Sequence, residues 1–152
     1  MTVGIIDTSV FCNLLGVPGR DQDQDRAIAD LAAYGGRGVE LFLPLGVIYE
    51  TGNHIAQVSG AHADRRAAAE RFQREVTLAL DGESPFSAAS LPDEQELREW
   101  LPTFPDRAAR TVGMTDLSIL ALWERLRRRM PTRRVMIWSY DGDLAGYDTG
   151  EI

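Results

Sequence analysis

The chain has 152 residues, of which 44% are hydrophobic and 26% charged, the balance of one ordinary globular domain. Its single cysteine, Cys12, excludes an internal disulfide framework and any multi-cysteine zinc site. The formal net charge of −7 argues against nucleic-acid binding by bulk electrostatics, and the absence of lysine excludes Walker-type phosphate binding and Schiff-base chemistry.

No GxGxxG, HExxH or GxSxG pattern occurs. No apolar run reaches the ~18 residues of a membrane span. The start of the chain lacks a basic stretch and turns polar at Asp7, so the reading is a cytoplasmic protein with no membrane association.

In chain order, Val3 to Ile6 is a short apolar run ending at Asp7 and predicts a buried strand. Ser9 to Leu15 predicts a helix broken by Pro18-Gly19, and Asp25 to Tyr34 a second one stopped by Gly35-Gly36. Glu40 to Leu43 predicts a strand closed by Pro44. Gly46 to Val58 and Ala63 to Leu80 then predict two helices, the latter with Ala68, Phe72, Val76 and Ala79 along one side. The stretch 81–106 holds Pro85, Pro92, Pro102 and Pro105 around a helical piece at Asp93 to Leu101, and carries a net charge of −6. Asp116 to Met130 predicts a strong helix, and Val135 to Trp138 a third buried strand. Buried strands alternating with helices predict a single three-layer α/β/α domain over 1–152 with a central, mainly parallel sheet. Such folds place their site at the carboxyl ends of the strands.

The acids fall at that edge. Asp7 follows the first strand, although beside Thr8 and Ser9 it is equally suited to cap a helix. Glu50 shares a helical face with Asn53 and His54, at i+3 and i+4. Asp116 stands in a first turn, with Thr115 read as the cap and Ile119 and Leu120 continuing its face into the core. Asp141 and Asp143 follow the third strand, where Asp-Gly also makes a turn. Carboxylates brought together in this way repel unless they are protonated or neutralised by divalent cations. An all-oxygen donor set suits Mg²⁺ or Mn²⁺. Acids on hard cations hydrolyse phosphodiesters, one ion generating hydroxide and another stabilising the leaving oxygen.

Four segments in order, Ile5-Ile6-Asp7-Thr8-Ser9-Val10-Phe11, Val47-Ile48-Tyr49-Glu50-Thr51-Gly52-Asn53-His54, Gly113-Met114-Thr115-Asp116-Leu117-Ser118-Ile119-Leu120 and Trp138-Ser139-Tyr140-Asp141-Gly142-Asp143-Leu144, resemble a PIN-domain nuclease. The resemblance spans nearly the whole chain. It implies a Mg²⁺- or Mn²⁺-dependent nuclease with Asp7, Glu50, Asp116 and Asp141 as the acidic quartet and Asp143 as a fifth, variable acid. Ser9 and Ser139 match the family's small hydroxyl positions, and Asn53 and Thr115 join them as supporting residues. Size and layout resemble the VapC-like ribonuclease toxins of bacterial toxin–antitoxin pairs. That likeness implies an RNA substrate, a small antitoxin protein and a homodimer. Asp7 and Asp116 would anchor the principal ion, with Glu50 and Asp141 completing its shell or orienting water. The alternatives are a PIN-like nuclease for DNA or structured RNA outside a toxin system, and a catalytically silent binding module. The 81–106 stretch is longer than in a minimal toxin, and the tail after Asp143 is short, leaving the closing strand absent or irregular.

Arg125, Arg127, Arg128, Arg129, Arg133 and Arg134 lie within ten residues. Arg125, Arg128 and Arg129 are candidate RNA or partner contacts, against the alternative of a solvated helix end whose cations favour the dipole. The patch starts about 14 Å along the helix from Asp116 and so is placed away from the acids. His54 reads as making a structural hydrogen bond, with orienting a phosphate or pairing with Glu50 as the alternatives. Trp100, Trp123 and Trp138 read as core or dimer anchors.

Overall fold

The computed structural model describes residues 1–150. Strand β1 (Thr2–Ile6) leads through α1 (Thr8–Leu15) and α2 (Gln24–Gly36) to β2 (Glu40–Pro44). Helices α3 (Leu45–Ala56) and α4 (His62–Leu80) precede β3 (Phe86–Ala89). Then come α5 (Glu94–Trp100), a 3₁₀ turn (Leu101–Thr103), α6 (Phe104–Ala108), α7 (Met114–Arg129) and β4 (Arg134–Trp138). The sheet order is β3-β2-β1-β4, and every ladder is parallel. This is the expected three-layer α/β/α arrangement. The chain steps outward from β1 to β3 and then returns to the other side of β1. Parallel strands are joined by right-handed crossovers as a rule, so connections leaving β1 in opposite directions place helices on both faces, and the switch point falls between β1 and β4.

The apolar runs read as strands are strands because both their faces are buried. Val3, Ile5, Ile6, Leu41, Leu43, Val135, Met136, Ile137 and Trp138 are all core residues. Around them Phe11 packs at 6.3 Å from Phe72 and 6.4 Å from Phe86, ring centre to ring centre. Trp138 meets Tyr34 edge-on at 4.9 Å. On α4, Ala68 and Ala79 are buried, and Phe72 and Val76 pack partly buried against the core, as their spacing predicts.

Two features depart from the sequence reading, and a third, the irregular tail, follows it. The fourth strand, β3, lies inside the Pro-containing acidic stretch and pairs only with β2. Its four residues present one buried side chain, Phe86, so no apolar run announces it, and as an edge strand it tolerates the neighbouring Pro85. Second, Thr115 does not cap the last long helix. Gly113 is the N-cap, without a side-chain cap bond, and the helix starts at Met114, which puts Asp116 at its third position. Third, the tail completes the sheet edge with one antiparallel bridge, Met136 to Asp148, in place of a regular strand. The Ile137 N–H donates to the Tyr147 carbonyl at 2.9 Å and the Thr149 N–H to the Val135 carbonyl at 3.1 Å. Leu144, fully buried, plugs the turn before it. Glu151 and Ile152 lie outside the described residues. No described helix is long and apolar enough to cross a membrane.

Gly4 sits in the middle of β1, between Leu41 of β2 and Met136 of β4. A Cβ there would lie 2.8 Å from Leu41 Cδ2 and 3.3 Å from Met136 Cε, and Leu41 is itself buried. Gly4→Val should therefore overpack the sheet and cost about 1–3 kcal/mol. Urea denaturation checks this, with an unchanged midpoint as the contrary result.

Candidate functional site

Asp7 is the first residue past β1 and the N-cap of α1. Its carboxylate accepts from the Thr8 N–H at 2.6 Å and the Ser9 N–H at 3.4 Å, so it does the capping work that its neighbours suggested. It also does more. Its Oδ2 accepts from the Ser9 hydroxyl at 2.8 Å and from the Ser139 hydroxyl at 2.7 Å. Each hydroxyl in turn accepts a backbone N–H from the segment after β4, Tyr140 onto Ser9 at 3.0 Å and Asp141 onto Ser139 at 2.9 Å. The two serines thus lock that loop to α1 across the switch point. Burial raises the Asp7 pKa against the lowering effect of these hydrogen bonds.

The other acids arrive from separate elements. Glu50, on α3, accepts from the Thr8 hydroxyl at 2.8 Å and has His54 Nε2 3.8 Å away. Asp116 enters from the first turn of α7, and Asp141 from the loop after β4. Asp7, Glu50, Asp116 and Asp141 line one cleft of about 460 Å³, together with Ser9, Asn13, Arg20, His54 and Tyr140. Asp143 does not line it, but its N–H donates to Asp141 Oδ1 at 3.0 Å and its charge reaches Asp116. The Asp116 carboxyl is pushed up to about 7, first by burial and then by repulsion from Asp7, Glu50, Asp141 and Asp143. One carboxyl thereby registers all the others.

Of the supporting residues, Ser9 and Ser139 are at the centre of the site. Asn53 is exposed and does not line the cleft, and Thr115 lines a neighbouring apolar cleft with Tyr49, Leu91 and Trp100. Both follow from helix phase: Glu50 and His54 turn inward while Asn53 does not. Sequence reasoning passed over Thr8, Asn13, Arg20 and Tyr140. Thr8 had a signal in its place inside the Asp7-Thr8-Ser9 run; Arg20 and Tyr140 had none beyond their proximity to turns.

His54 is half-sheltered, and burial followed by the charge of Arg20 lowers its pKa against the pull of Glu50. At neutral pH it is an uncharged neighbour of Glu50, and its Nδ1 is buried without a hydrogen-bond partner. The arginine run lies at the far end of α7. Arg125 pairs with Glu96 of α5, and Arg127 and Arg128 both pair with Glu124. Arg133 reaches Glu40 at 3.3 Å and Arg134 reaches Asp148 at 2.6 Å. Arg125, Arg128 and Arg129 line a separate groove with Trp100 and Leu122.

The donor set of the cleft is carboxylate oxygen with hydroxyls behind it, the chemistry that hard divalent cations select. As the side chains stand, no three Asp, Glu, His or Cys groups among the described residues are arranged to hold one ion. Asp7 is the fixed member, tied by four hydrogen bonds. Asp116 makes no side-chain hydrogen bond among the described residues, so it is the member with most freedom to turn toward a shared ion.

A raised carboxyl pKa favours the folded state while the group is protonated, below the ordinary carboxylate range, and that advantage is lost as pH rises through about 7. In EDTA, Asp116→Asn should therefore melt above the parent protein at pH 8, with the gap closing toward pH 4. Thermal denaturation at the two pH values checks this; an equal gap at both would contradict it.

No protein-family model matches the chain. Over 115 residues it is 29% identical to proteins named ribonuclease H from Coxiella burnetii, among them those of strains RSA 331 / Henzerling II and RSA 493 / Nine Mile phase I. The match covers 70% of this chain and 71% of each relative. The chain is thus distantly similar to ribonuclease H.

Proposed function

We propose that the chain is a single PIN-like domain acting as a divalent-metal-dependent endoribonuclease, the toxin of a toxin–antitoxin pair. The observation that carries the nuclease reading is the convergence of Asp7, Glu50, Asp116 and Asp141 on one cleft at the carboxyl edge of the sheet. The similarity to proteins named ribonuclease H supports RNA as the substrate class. The four-segment PIN resemblance supports the assignment of roles.

Mg²⁺ or Mn²⁺ held by these carboxylates would supply a nucleophilic hydroxide and neutralise charge on the leaving oxygen. The chain's own residues supply the rest. Asp7, buried and hydrogen-bonded, fixes the reference point of the site. Ser9 and Ser139 orient it and hold Asp141 beside it. Glu50, steadied by Thr8, and the movable Asp116 close the shell or accept the proton of the attacking water. In-line attack leaves 5′-phosphate and 3′-hydroxyl ends. Homodimerisation, inhibition by a small antitoxin and a cytoplasmic setting complete this reading. A PIN-like nuclease for DNA or structured-RNA processing outside a toxin system is the second reading, and similarity to proteins named ribonuclease H supports its RNA form equally.

Purified protein should cleave single-stranded RNA with Mn²⁺ or Mg²⁺ and not in EDTA, with a matched DNA panel reporting sugar preference. Asp7→Asn and Asp116→Asn should each abolish cleavage. Full activity in both would refute the assignment. Ser139→Ala should lower activity about ten- to a hundredfold, the usual cost of losing a group that orients a ligand.

A further inference from the structure

Five carboxyl groups line the acid cleft, Asp7, Asp23, Glu50, Asp116 and Asp141, and Arg20 is the single guanidinium among the lining residues. A phosphodiester approaching that cleft meets repulsion, and bound cations at the carboxylates answer it only locally. Arg20 is exposed and makes no side-chain hydrogen bond or ion pair among the described residues. Arg74, Arg107, Arg110 and Arg129 also make no side-chain hydrogen bond or ion pair among the described residues, but none of them lines this cleft, and most other arginines are engaged by the protein itself. Arg26 pairs with Asp30 and stacks 4.5 Å over the Tyr140 ring, Arg65 and Arg71 bind backbone carbonyls, and Arg125, Arg127 and Arg128 hold acids.

The loop that carries Arg20 is built, not slack. Helix α1 ends at Gly16 in the left-handed conformation, and Val17 behind it is fully buried. Gly19, at φ 80°, turns the chain so that the Arg20 N–H donates to the Val17 carbonyl at 2.9 Å. Buried Asn13 ties the far end of the loop to α1: its Nδ2 is anchored on the Ser9 carbonyl of its own helix at 2.8 Å, and its Oδ1 accepts the Asp23 N–H at 2.8 Å. The charge of Arg20 is felt at both His54 and Cys12, on the α3 and α1 sides of the cleft.

We propose that Arg20 is the phosphate-holding residue of this cleft, binding a non-bridging oxygen of the single-stranded RNA backbone and positioning it over the acids. This rests on the nuclease reading for its catalytic consequence, but the phosphate contact itself is testable without cleavage. A guanidinium held beside acids yet outside ion-pair distance of them retains its donors for a ligand that brings its own negative charge.

The test compares the parent protein, Arg20→Gln and Arg20→Lys. Fluorescence anisotropy with a labelled single-stranded RNA in EDTA, over a salt series, reads binding. Steady-state cleavage in Mn²⁺ reads KM and kcat separately, and calorimetry reads Mn²⁺ binding. Arg20→Gln should reduce the slope of log affinity against log salt by about 0.7, one phosphate contact on a single strand. It should raise KM about tenfold, with kcat and Mn²⁺ binding little changed, the size of one charge-assisted hydrogen bond. Arg20→Lys should restore the salt slope. An unchanged slope and KM in Arg20→Gln would overturn the proposal, as would loss of Mn²⁺ binding, which would mark Arg20 as structural. Absence of cleavage and of Mn²⁺ binding in the parent protein would instead refute the nuclease reading, while the anisotropy slopes would still decide the phosphate contact.

Discussion

The organising interaction is the buried carboxylate of Asp7 and the two serine hydroxyls that donate to it. An ionised carboxylate shut away from water is costly unless its lone pairs are filled, and here four donors fill them. The same donors come from α1 and from the loop beyond β4, so satisfying one charge also closes the switch point of the sheet. The Asp7 N–H completes the join by donating to the Trp138 carbonyl at 3.1 Å. Two of the other acids are referenced to this residue: Ser139 carries Asp141, and Thr8 carries Glu50.

The energetic consequence is a region that works against the stability of the fold. Several acids share one cleft, and the pKa of Asp116 is displaced to about 7 because burial and four like charges all act against its ionisation. Nothing in the packing of the sheet requires those charges; β1 and β4 would be equally well buried beside neutral side chains. Strain of this kind is expected where function is held. By contrast, the acids at the other end of the molecule are neutralised internally. Glu96 and Glu124 take up the arginines of α7, so that charge run is largely spent on holding α5 against α7 and on the surface of α7 itself.

The acidic 81–106 stretch shows how composition and structure part company. Its prolines and net charge suggested a loop around one helix, yet it contributes the edge strand β3, a capping box at Asp93 and Glu96, and the partner of Arg125. Edge strands need only one paired side and one buried face. Phe86 alone satisfies the second requirement, too weak a signal to be read from one residue.

The local code was sufficient for the buried strands, for the helices with clear apolar stripes and for the placement of acids at strand and helix ends, because both depend on neighbours a few positions away. The α/β/α class follows from that alternation. What no local pattern contains is the distance between segments. That Ser9 and Ser139, 130 residues apart, meet on one oxygen of Asp7 depends on β1 and β4 lying side by side. The same holds for Arg20, whose place at the cleft is set by a loop that Asn13 ties to α1, and for Thr115, whose helix starts two residues earlier than its capping chemistry suggests. Hydrophobic period is a property of the chain; which charges share a cleft is a property of how the strands are ordered.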